Sequence, residues 1–396
     1  MKTKQVYLDN ASTTPIDPKV LDVMMPYLKD NYGNPSSLHE LGRRNKSAIE
    51  NARINIAKHI NAEPDEIIFT SGGTESDNLA MFGLARAYKE KGRHIIVSNI
   101  EHKAILDACK KLEKEGFDIT YLDVDKNGVV SLDKLRSSLR ADTILVSIMY
   151  ANNEIGTIQP ICEMAKIIRQ ARSKKHCYSI FHSDACQATG AMPIDVKELG
   201  VDALTMSSSK IYGPKGIGCL YLNKKYSIDP IIVGGGQERG IRSGTENVAY
   251  IVGFAEALKI SEKKRSLESR RLTKLRDYFL ARLKKEIKGL SVNGGMKNRL
   301  PNNINVSIKG VEGESLVLLL DERGVYCSTG SACSSMDLNP SHVLIKIGLP
   351  LELAHCSARF TLGQYTKKAD IDYSMRILIE CIEKIRSIST IKTNDK

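Results

Sequence analysis

Residues 178–223 read YSIFHSDACQATGAMPIDVKELGVDALTMSSSKIYGPKGIGCLYLN, and this stretch decides the fold class. Its three apolar runs, at 178–185, 202–209 and 217–223, have the length and the β-branched and aromatic content of buried strands. Strands that are apolar on both faces are typical of sheets covered by helices on both sides. The stretch therefore predicts an α/β protein.

The same pattern continues towards the N-terminus and predicts a mostly parallel sheet. Four further runs resemble strands: DEIIFTS (65–71), HIIVSNI (94–100), DITYLDV (118–124) and TILVSIMYA (143–151). Helical patterns lie between several of the runs, over 74–91, 102–115 and 161–172. Alternation of this kind indicates βαβ units, whose ligands bind at the carboxyl ends of the strands.

A long helix and a smaller unit are predicted beyond the sheet. The helix covers about 247–288, and its stretch 261–276 carries a surplus of lysine and arginine. We interpret that stretch as a solvated helix face rather than a surface for an anionic partner. The segments NNINVSI, GESLVLLLDER and VYCSTG then predict a strand, a helix and a strand of a smaller α+β domain.

Composition excludes several classes of protein. With 42% hydrophobic and 26% charged residues, the 396-residue chain is neither disordered nor fibrous. Its net charge of +12 permits phosphate, tRNA or acidic protein partners without requiring them. No apolar run is long enough for a membrane span or a signal peptide, so we expect neither. Nine cysteines, an odd number and without a CxxC spacing, predict a reducing, cytoplasmic location.

Two strand ends within 178–223 carry reactive side chains. Asp184 ends one strand and must face a crevice or a partner, because burying an unpaired carboxylate is costly. Lys210 and Lys215 lie in the glycine-rich segment after the next strand, and either could form a Schiff base. A lysine of this kind and a carboxylate that holds a protonated pyridine nitrogen are the minimal requirements of pyridoxal phosphate (PLP). The spacing does not choose between the two lysines.

The segment SGGTES at 71–76 lies between a predicted strand and a predicted helix. Glycines there would let backbone N–H groups approach an anion, so the segment predicts either a phosphate site or a plain tight turn. No lysine follows at the position that a nucleotide P-loop requires.

Two other patterns resemble metal sites only superficially. DVDKNG at 123–128 copies the start of a calcium loop, but Lys134 stands where the last ligand should be, so we predict a turn. The small, polar segment 327–340 predicts a mobile loop that exposes a free thiol. A zinc site would have to use residues whose spacing fits no familiar pattern: Cys327, Cys333, His342 and Cys356.

Ten ordered segments together resemble a known family. They are YLDNASTTP (7–15), GNPSSLH (33–39), FTSGGTESDN (69–78), EHKAILD (101–107), NNEIG (152–156), DACQ (184–187), SKIYGPKGIG (209–218), GGGQERGIRSGTEN (234–247), STGSACSS (328–335) and ARFTLG (358–363). The chain resembles the class I cysteine desulfurases of the IscS and NifS type, which use PLP to remove sulfur from L-cysteine. The resemblance covers nearly the whole chain.

The resemblance implies the PLP-dependent transferase fold type I and a homodimer. A large, mostly parallel PLP-binding domain would cover 17–260. A small α+β domain would combine 1–16 with 261–396, and its loop at about 326–342 would carry the catalytic cysteine.

The resemblance also implies how the cofactor is held. Lys210 would be the imine lysine, because the family's lysine precedes IYGPKG, and Asp184 would hold the pyridine nitrogen. Gln187 would contact the phenolic oxygen of PLP, and His102 would stack on the ring and move protons. The implied phosphate ligands are Gly73, Thr74, Ser207, Ser209 and, from the other protomer, Thr245.

For the substrate, the resemblance implies that Asn153 and Arg359 bind the carboxylate of L-cysteine, with Asn153 also near the cofactor. Cys333 would accept the sulfur as a persulfide while L-alanine leaves. The persulfide would pass to an iron–sulfur scaffold protein, a tRNA-thiolation relay or another sulfur carrier. Cys333 could also be a transient iron–sulfur ligand, and no direct DNA or membrane binding is expected.

Two departures from the family pattern have consequences. The family usually has a histidine where this chain has Ser209, and a serine hydroxyl offers no cationic form to a phosphate. We therefore expect PLP to be lost more easily while the chemistry is kept. Cys186 stands where alanine or threonine is common, and we interpret it as a packing residue.

Two rival functions predict different behaviour. Another PLP reaction, such as transamination or selenocysteine cleavage, would make Cys333 dispensable. A basic scaffold protein with vestigial PLP machinery would not form the visible chromophore of bound PLP.

Overall fold

The computed structural model describes residues 4–175, 177–329 and 340–388. The strands are β1 (Val6–Tyr7), β2 (Ile67–Thr70), β3 (His94–Ser98), β4 (Asp118–Leu122), β5 (Thr143–Ser147), β6 (Ile180–Asp184), β7 (Ala203–Ser207), β8 (Gly218–Leu222), β9 (Leu290–Val292), β10 (Asn303–Ile308), β11 (Val325–Tyr326) and β12 (Ser357–Thr361).

The helices alternate with these strands in the first half of the chain. They are α1 (Pro18–Lys29), α2 (Glu40–His59), α3 (Gly73–Asn78), α4 (Leu84–Ala87), α5 (Lys103–Lys114), α6 (Leu132–Ser138), α7 (Ile161–Lys175), α8 (Val196–Leu199), α9 (Val248–Glu286), α10 (Gly313–Glu322), α11 (His342–Lys346), α12 (Leu351–His355) and α13 (Lys368–Ile388). A π-helical turn at Leu79–Gly83 joins α3 to α4 without a break.

The large sheet has seven strands in the order β2-β8-β7-β6-β5-β3-β4. Each strand lies within one of the seven predicted runs, and the predicted α/β class is confirmed. The sheet is parallel except for β8, which is antiparallel to both of its neighbours. Only residues 208–217 connect β7 to β8, and they contain no crossover helix, so the chain returns in the opposite direction.

Helices cover both faces of this sheet. Ile67 and Phe69 of β2 pack in one apolar cluster with α1, α2, α7 and the first part of α9. Ile68, between them, points to the opposite face and packs in a second cluster with α5. Six of the seven strands are therefore buried on both sides, as their continuous apolar sequence predicts, while the edge strand β4 leaves Asp118 and Tyr121 exposed.

A second, smaller unit has its own apolar cluster. It contains the antiparallel sheet β12-β10-β9, the parallel pair β1-β11, and the helices α10 and α13. Val6 and Leu8 from the start of the chain pack in the same cluster as residues near its end. Helix α9 joins the two units: it contributes to the large cluster up to Leu258 and to the small one from Leu272. The predicted boundary at 260–261 falls between these two positions.

Within the described ranges, no helix is both long and apolar enough to cross a bilayer.

Candidate active site

A cleft of about 380 Å³ lies where β2, β5, β6 and β7 end. This is the edge of an α/β sheet at which ligands bind. Ten of the predicted site residues line the cleft: Gly73, Thr74, His102, Asn153, Asp184, Gln187, Ser207, Ser209, Lys210 and Arg359.

The two lysines of the glycine-rich segment occupy different places. Lys210 lies in a short turn directly after β7 and lines the cleft together with Asp184. Lys215 lines a separate surface cavity beside Tyr7 and Tyr365, and its Nζ lies 3.4 Å from the backbone oxygen of Thr14. The geometry thus brings Lys210, and not Lys215, to the carboxylate.

The N-terminal segment, at Ala11 and Ser12, lines the cleft and forms hydrogen bonds with three other lining residues. Lys210 donates its Nζ hydrogen to the backbone oxygen of Ser12, and Gln187 donates to that of Ala11 at 2.9 Å. The hydroxyl of Ser12 accepts from Arg359 at 2.8 Å. The segment therefore ties together residues from distant parts of the chain.

Hydroxyl and backbone donors gather at the phosphate turn, which we define as residues 71–74. A Cβ atom on Gly73 would lie 2.7 Å from Sγ of Cys186, so any larger residue here would require the Cys186 side chain to move. Ser207 and Ser209 also line this part of the cleft, with their Oγ atoms 3.1 Å apart. The same cleft is lined by Asp184 and Lys210. Hydroxyl donors, a carboxylate and an amine suit the phosphate, the pyridine nitrogen and the aldehyde of PLP, respectively.

Cys186 behaves as a packing residue in this arrangement. Its side chain is buried beneath Gly73, and its backbone N–H donates to Oδ1 of Asp184 at 2.8 Å. Burial, followed by the nearby charges of Asp184 and Asp77, raises the pKa of the Cys186 thiol well above its usual value. The thiol is therefore protonated and not nucleophilic at neutral pH.

His102 is both the N-cap of α5 and a lining residue of the cleft. Its Nδ1 accepts a hydrogen bond from the backbone N–H of Ala104 at 3.1 Å. In the neutral imidazole the ring proton then lies on Nε2. The capping bond thus fixes which nitrogen can donate.

Two carboxyl groups and a histidine are buried beside the cleft, and sequence reasoning assigned no role to them. Burial raises the pKa of Glu101 to about 8. Burial, together with the charge of Asp184, raises the pKa of Asp77 well above its usual value. His182 lies between the hydroxyls of Ser147 and Thr205, and burial lowers its pKa to about 4. Glu101 and His182 are therefore mainly uncharged near pH 7.

Arg359 reaches the cleft from β12 of the small unit and is only 1% exposed. It donates to the backbone oxygen of Asn153 at 2.9 Å and to Oδ1 of Asp9 at 2.8 Å. Its Nε is buried without a hydrogen-bond partner among the described residues. The guanidinium thus keeps one buried N–H donor that no described residue uses.

One predicted site residue, Thr245, does not line the cleft, and another, Cys333, is not among the described residues. Thr245 lines a neighbouring cavity that shares Ser71 and Gly216 with it. Cys333 lies outside the described residues, as does most of its predicted loop, so the zinc pattern that includes it cannot be placed.

The calcium-like pattern forms a turn, as predicted. The carboxylate of Asp125 accepts from the backbone N–H groups of Asn127 and Val129, both at 2.9 Å. In the part of the chain that the structure describes, no group of residues could hold a metal ion.

Comparison with known families and solved structures identifies the class of protein that has this fold and this cleft. The profile of the Aminotransferase class-V family matches residues 6–373. A solved structure of a NifS-like protein superposes with a TM-score of 0.90 at 37% identity, over 96% of this chain and all of the other. The chain therefore belongs to the Aminotransferase class-V family.

Its sequence relatives define the family within that class. The chain is 54% identical over 390 residues to cysteine desulfurase IscS of Dictyoglomus turgidum, covering 98% of this chain and 97% of the relative. It is 48% identical to the protein of the same name from Methanosarcina thermophila, covering 98% and 95%. The chain belongs to the cysteine desulfurase family, and the resemblance in its motifs is confirmed.

Proposed function

We propose that the chain is a PLP-dependent cysteine desulfurase that converts L-cysteine to L-alanine and keeps the sulfur on Cys333 as a persulfide. The observation that carries the proposal is the meeting of Lys210, Asp184 and Arg359 in one cleft at the carboxyl end of the sheet. A lysine, a carboxylate and a carboxylate-binding arginine are what an amino-acid substrate and PLP together require.

The lining residues provide a place for each part of the cofactor. Asp184 would hold the pyridine nitrogen, and Gln187 the phenolic oxygen. The phosphate turn and the hydroxyls of Ser207 and Ser209 would hold the phosphate, with Thr245 from a second copy of the chain. When bound, PLP supplies an electron sink that makes bonds at the substrate's α and β carbons breakable.

The chain's own residues would then bind the substrate and move protons. Arg359 and Asn153 orient the carboxylate of L-cysteine. Lys210 exchanges its bond to Ser12 for a position from which its amine removes the proton on the substrate's α carbon. His102 can donate the proton on Nε2 and recover one later.

Sulfur transfer would use Cys333 as the nucleophile. The Cys333 thiolate attacks the substrate sulfur, so a sulfur–sulfur bond forms while the carbon–sulfur bond breaks. The electron pair of the broken bond ends on carbon, which takes up a proton and becomes the methyl group of alanine. Overall, one thiol and one L-cysteine become one persulfide and one L-alanine.

The persulfide would be delivered to an iron–sulfur scaffold protein, a tRNA-thiolation relay or another sulfur carrier, and the working unit would be a homodimer. A cytoplasmic location and a transient iron–sulfur ligand role of Cys333 belong to the same proposal.

Product analysis tests the proposal. Purified protein loaded with PLP is given L-cysteine and a thiol reductant, and alanine, sulfide and keto acids are quantified. We expect alanine and sulfide in equal amounts from the wild type and neither from Lys210→Ala. A keto acid with loss of the bound chromophore would indicate transamination instead. Absence of any PLP chromophore in the wild type would favour the scaffold function.

A further inference from the structure

An ion pair at the rim of the cleft has no assigned role. Glu75 lies in the first turn of α3, immediately after the phosphate turn, and lines the cleft. Arg242 donates from Nε to Oε1 of Glu75 at 2.8 Å and from Nη2 to Oε2 at 3.2 Å. This two-point contact fixes the direction of both side chains.

Glu75 also closes the phosphate turn. Its Oε2 accepts the backbone N–H of Ser71 at 2.7 Å, so one carboxylate connects the start of the turn to the helix that follows it. The Glu75 side chain is 10% exposed and that of Arg242 24% exposed. Solvent therefore screens the pair less than it screens an exposed one.

The charge of Glu75 would matter to a phosphate beside it. Burial disfavours this charge, but the hydrogen bonds from Arg242 and Ser71 outweigh burial and hold the pKa of Glu75 below its usual value. Glu75 is thus ionised at neutral pH. An unpaired carboxylate this close to the phosphate turn would repel a phosphate dianion, whereas a paired one has most of its charge cancelled.

Arg242 is itself held by the segment 234–247. The backbone N–H of Ser243 donates to the oxygen of Ile232 at 3.2 Å, and Glu238 forms a buried two-point ion pair with Arg53. The guanidinium therefore approaches Glu75 from an anchored backbone.

We propose that Glu75 and Arg242 are positioning residues for the phosphate of the cofactor. The pair holds the phosphate turn in the shape that receives a phosphate, and Arg242 cancels the charge of Glu75 at that place. This inference rests on the proposed PLP function, and it adds two residues that act through the turn rather than on the reacting atoms.

Comparison of two aldehydes tests the inference. PLP and pyridoxal both form an imine with a lysine, but only PLP carries the phosphate. Dissociation constants of both are measured by visible absorption on cofactor-stripped, full-length wild type, Arg242→Met, Arg242→Lys and the double variant Glu75→Gln/Arg242→Met.

We expect Arg242→Met to weaken PLP binding about tenfold or more, because it leaves a partly buried carboxylate unpaired. Pyridoxal binding should stay within about twofold of the wild type, since pyridoxal does not use the phosphate turn. Arg242→Lys keeps the charge without the planar fork and should be intermediate. The double variant should recover part of the loss, because the repelling charge is gone.

An exposed ion pair in the same domain provides the control. Arg86 and Glu115 make a similar two-point contact away from the cleft, at 43% and 38% exposure. Arg86→Met should leave both dissociation constants unchanged.

Three results would overturn the inference. Arg242→Met could weaken PLP and pyridoxal equally, which is the sign of a general structural role, or it could weaken neither. A wild type that binds neither aldehyde would overturn the proposed function, and this inference with it. If the wild type binds PLP and the variants do so equally well, only the inference fails.

Discussion

Lys210 and Lys215 show that a lysine's position within one segment determines which cavity its side chain reaches. They are five positions apart in one glycine-rich segment, yet their side chains line different cavities. The turn after β7 directs Lys210 over the sheet edge, towards Asp184. The sequence pattern alone left the two lysines equivalent, and the resemblance favoured the one that the geometry places in the cleft.

Replacement of each lysine by alanine therefore has opposite expected effects. Lys210→Ala should abolish alanine formation and the absorption of the lysine–PLP imine. Lys215→Ala should retain both, because among the described residues its amine donates only to the backbone oxygen of Thr14, away from the cleft. Borohydride reduction followed by peptide mass spectrometry identifies the labelled lysine, and a label on Lys215 would contradict the assignment.

Glu101 is a buried acid whose protonation affects stability. Its Oε1 accepts hydrogen bonds from the Ser98 hydroxyl and from the backbone N–H of Met149, while Oε2 is buried without a partner among the described residues. Burial raises its pKa to about 8 in the folded protein, from an ordinary value of 4.5. A raised pKa means that the folded state holds the proton more tightly than the unfolded state.

The sign of the pH effect follows from this difference. The proton on Glu101 stabilises the folded state, and this contribution to the free energy of unfolding is complete below about pH 4.5. It is lost progressively as the pH rises towards 8, at about 1.4 kcal/mol per pH unit at most. Glu101→Gln, which cannot ionise, should lose this part of the pH dependence and gain stability relative to the wild type at pH 9. Urea unfolding of both proteins between pH 5 and 9 measures the difference, and parallel curves would contradict it.

At the scale of elements, the strands of the large sheet were the most predictable feature. Each is short and bounded by polar or glycine-rich residues, and all but the edge strand β4 are mainly apolar on both faces, so their positions follow from the sequence. The antiparallel direction of β8 was not predicted, because it depends on the ten-residue connection from β7 rather than on the strand itself. Helices α1, α2 and α13 were not predicted, because they lie outside the alternating strand and helix pattern of 65–223.

The candidate site was predictable only in part, for a related physical reason. Asp184 and Lys210 stand at strand ends and could be found from the pattern alone. Ser12, Asp77 and Glu101 could not, because what distinguishes them is their burial and their contacts with residues distant in the chain. The motifs YLDNASTTP and FTSGGTESDN contain Ser12 and Asp77. Both residues therefore lie in segments that identify the family, but the sequence assigns neither a role.

The close packing of β7, β8 and the phosphate turn leads to an element-scale prediction. A Cβ atom on Gly218 would lie 2.6 Å from the backbone oxygen of Met206 and 2.8 Å from Cα of Gly72. Backbone on both sides cannot give way cheaply, so Gly218→Ala should cost about 1–3 kcal/mol of unfolding free energy. It should also displace the phosphate turn and speed PLP loss on dialysis. Unchanged stability and retention would show that the turn tolerates the displacement.

At the scale of the whole molecule, the cleft combines parts that are distant in sequence. The N-terminal segment, the sheet edge and β12 of the small unit all contribute lining residues, and α9 connects the two units. Within one chain Thr245 lies in the neighbouring cavity. The predicted homodimer would bring it to the phosphate site of the second copy.

A hybrid dimer tests this shared site. Lys210→Ala and Thr245→Asp homodimers should each fail to form the lysine–PLP imine, the first for lack of the amine and the second through repulsion of the phosphate. A hybrid of the two chains should form about one imine per dimer, because one of its two sites receives an intact lysine and an intact threonine from different chains. Tagged, co-expressed chains allow purification of the hybrid. Recovery of no site would place Thr245 in the same chain as its lysine.

The most direct test of the desulfurase function is a single turnover with L-cysteine, in which alanine and protein-bound persulfide are measured together by mass spectrometry. We expect wild-type protein to yield one persulfide on Cys333 for each alanine formed. Cys333→Ala should yield neither while retaining the absorption of bound PLP. Alanine formation that persists without Cys333 would contradict sulfur transfer through this thiol and indicate a different PLP reaction.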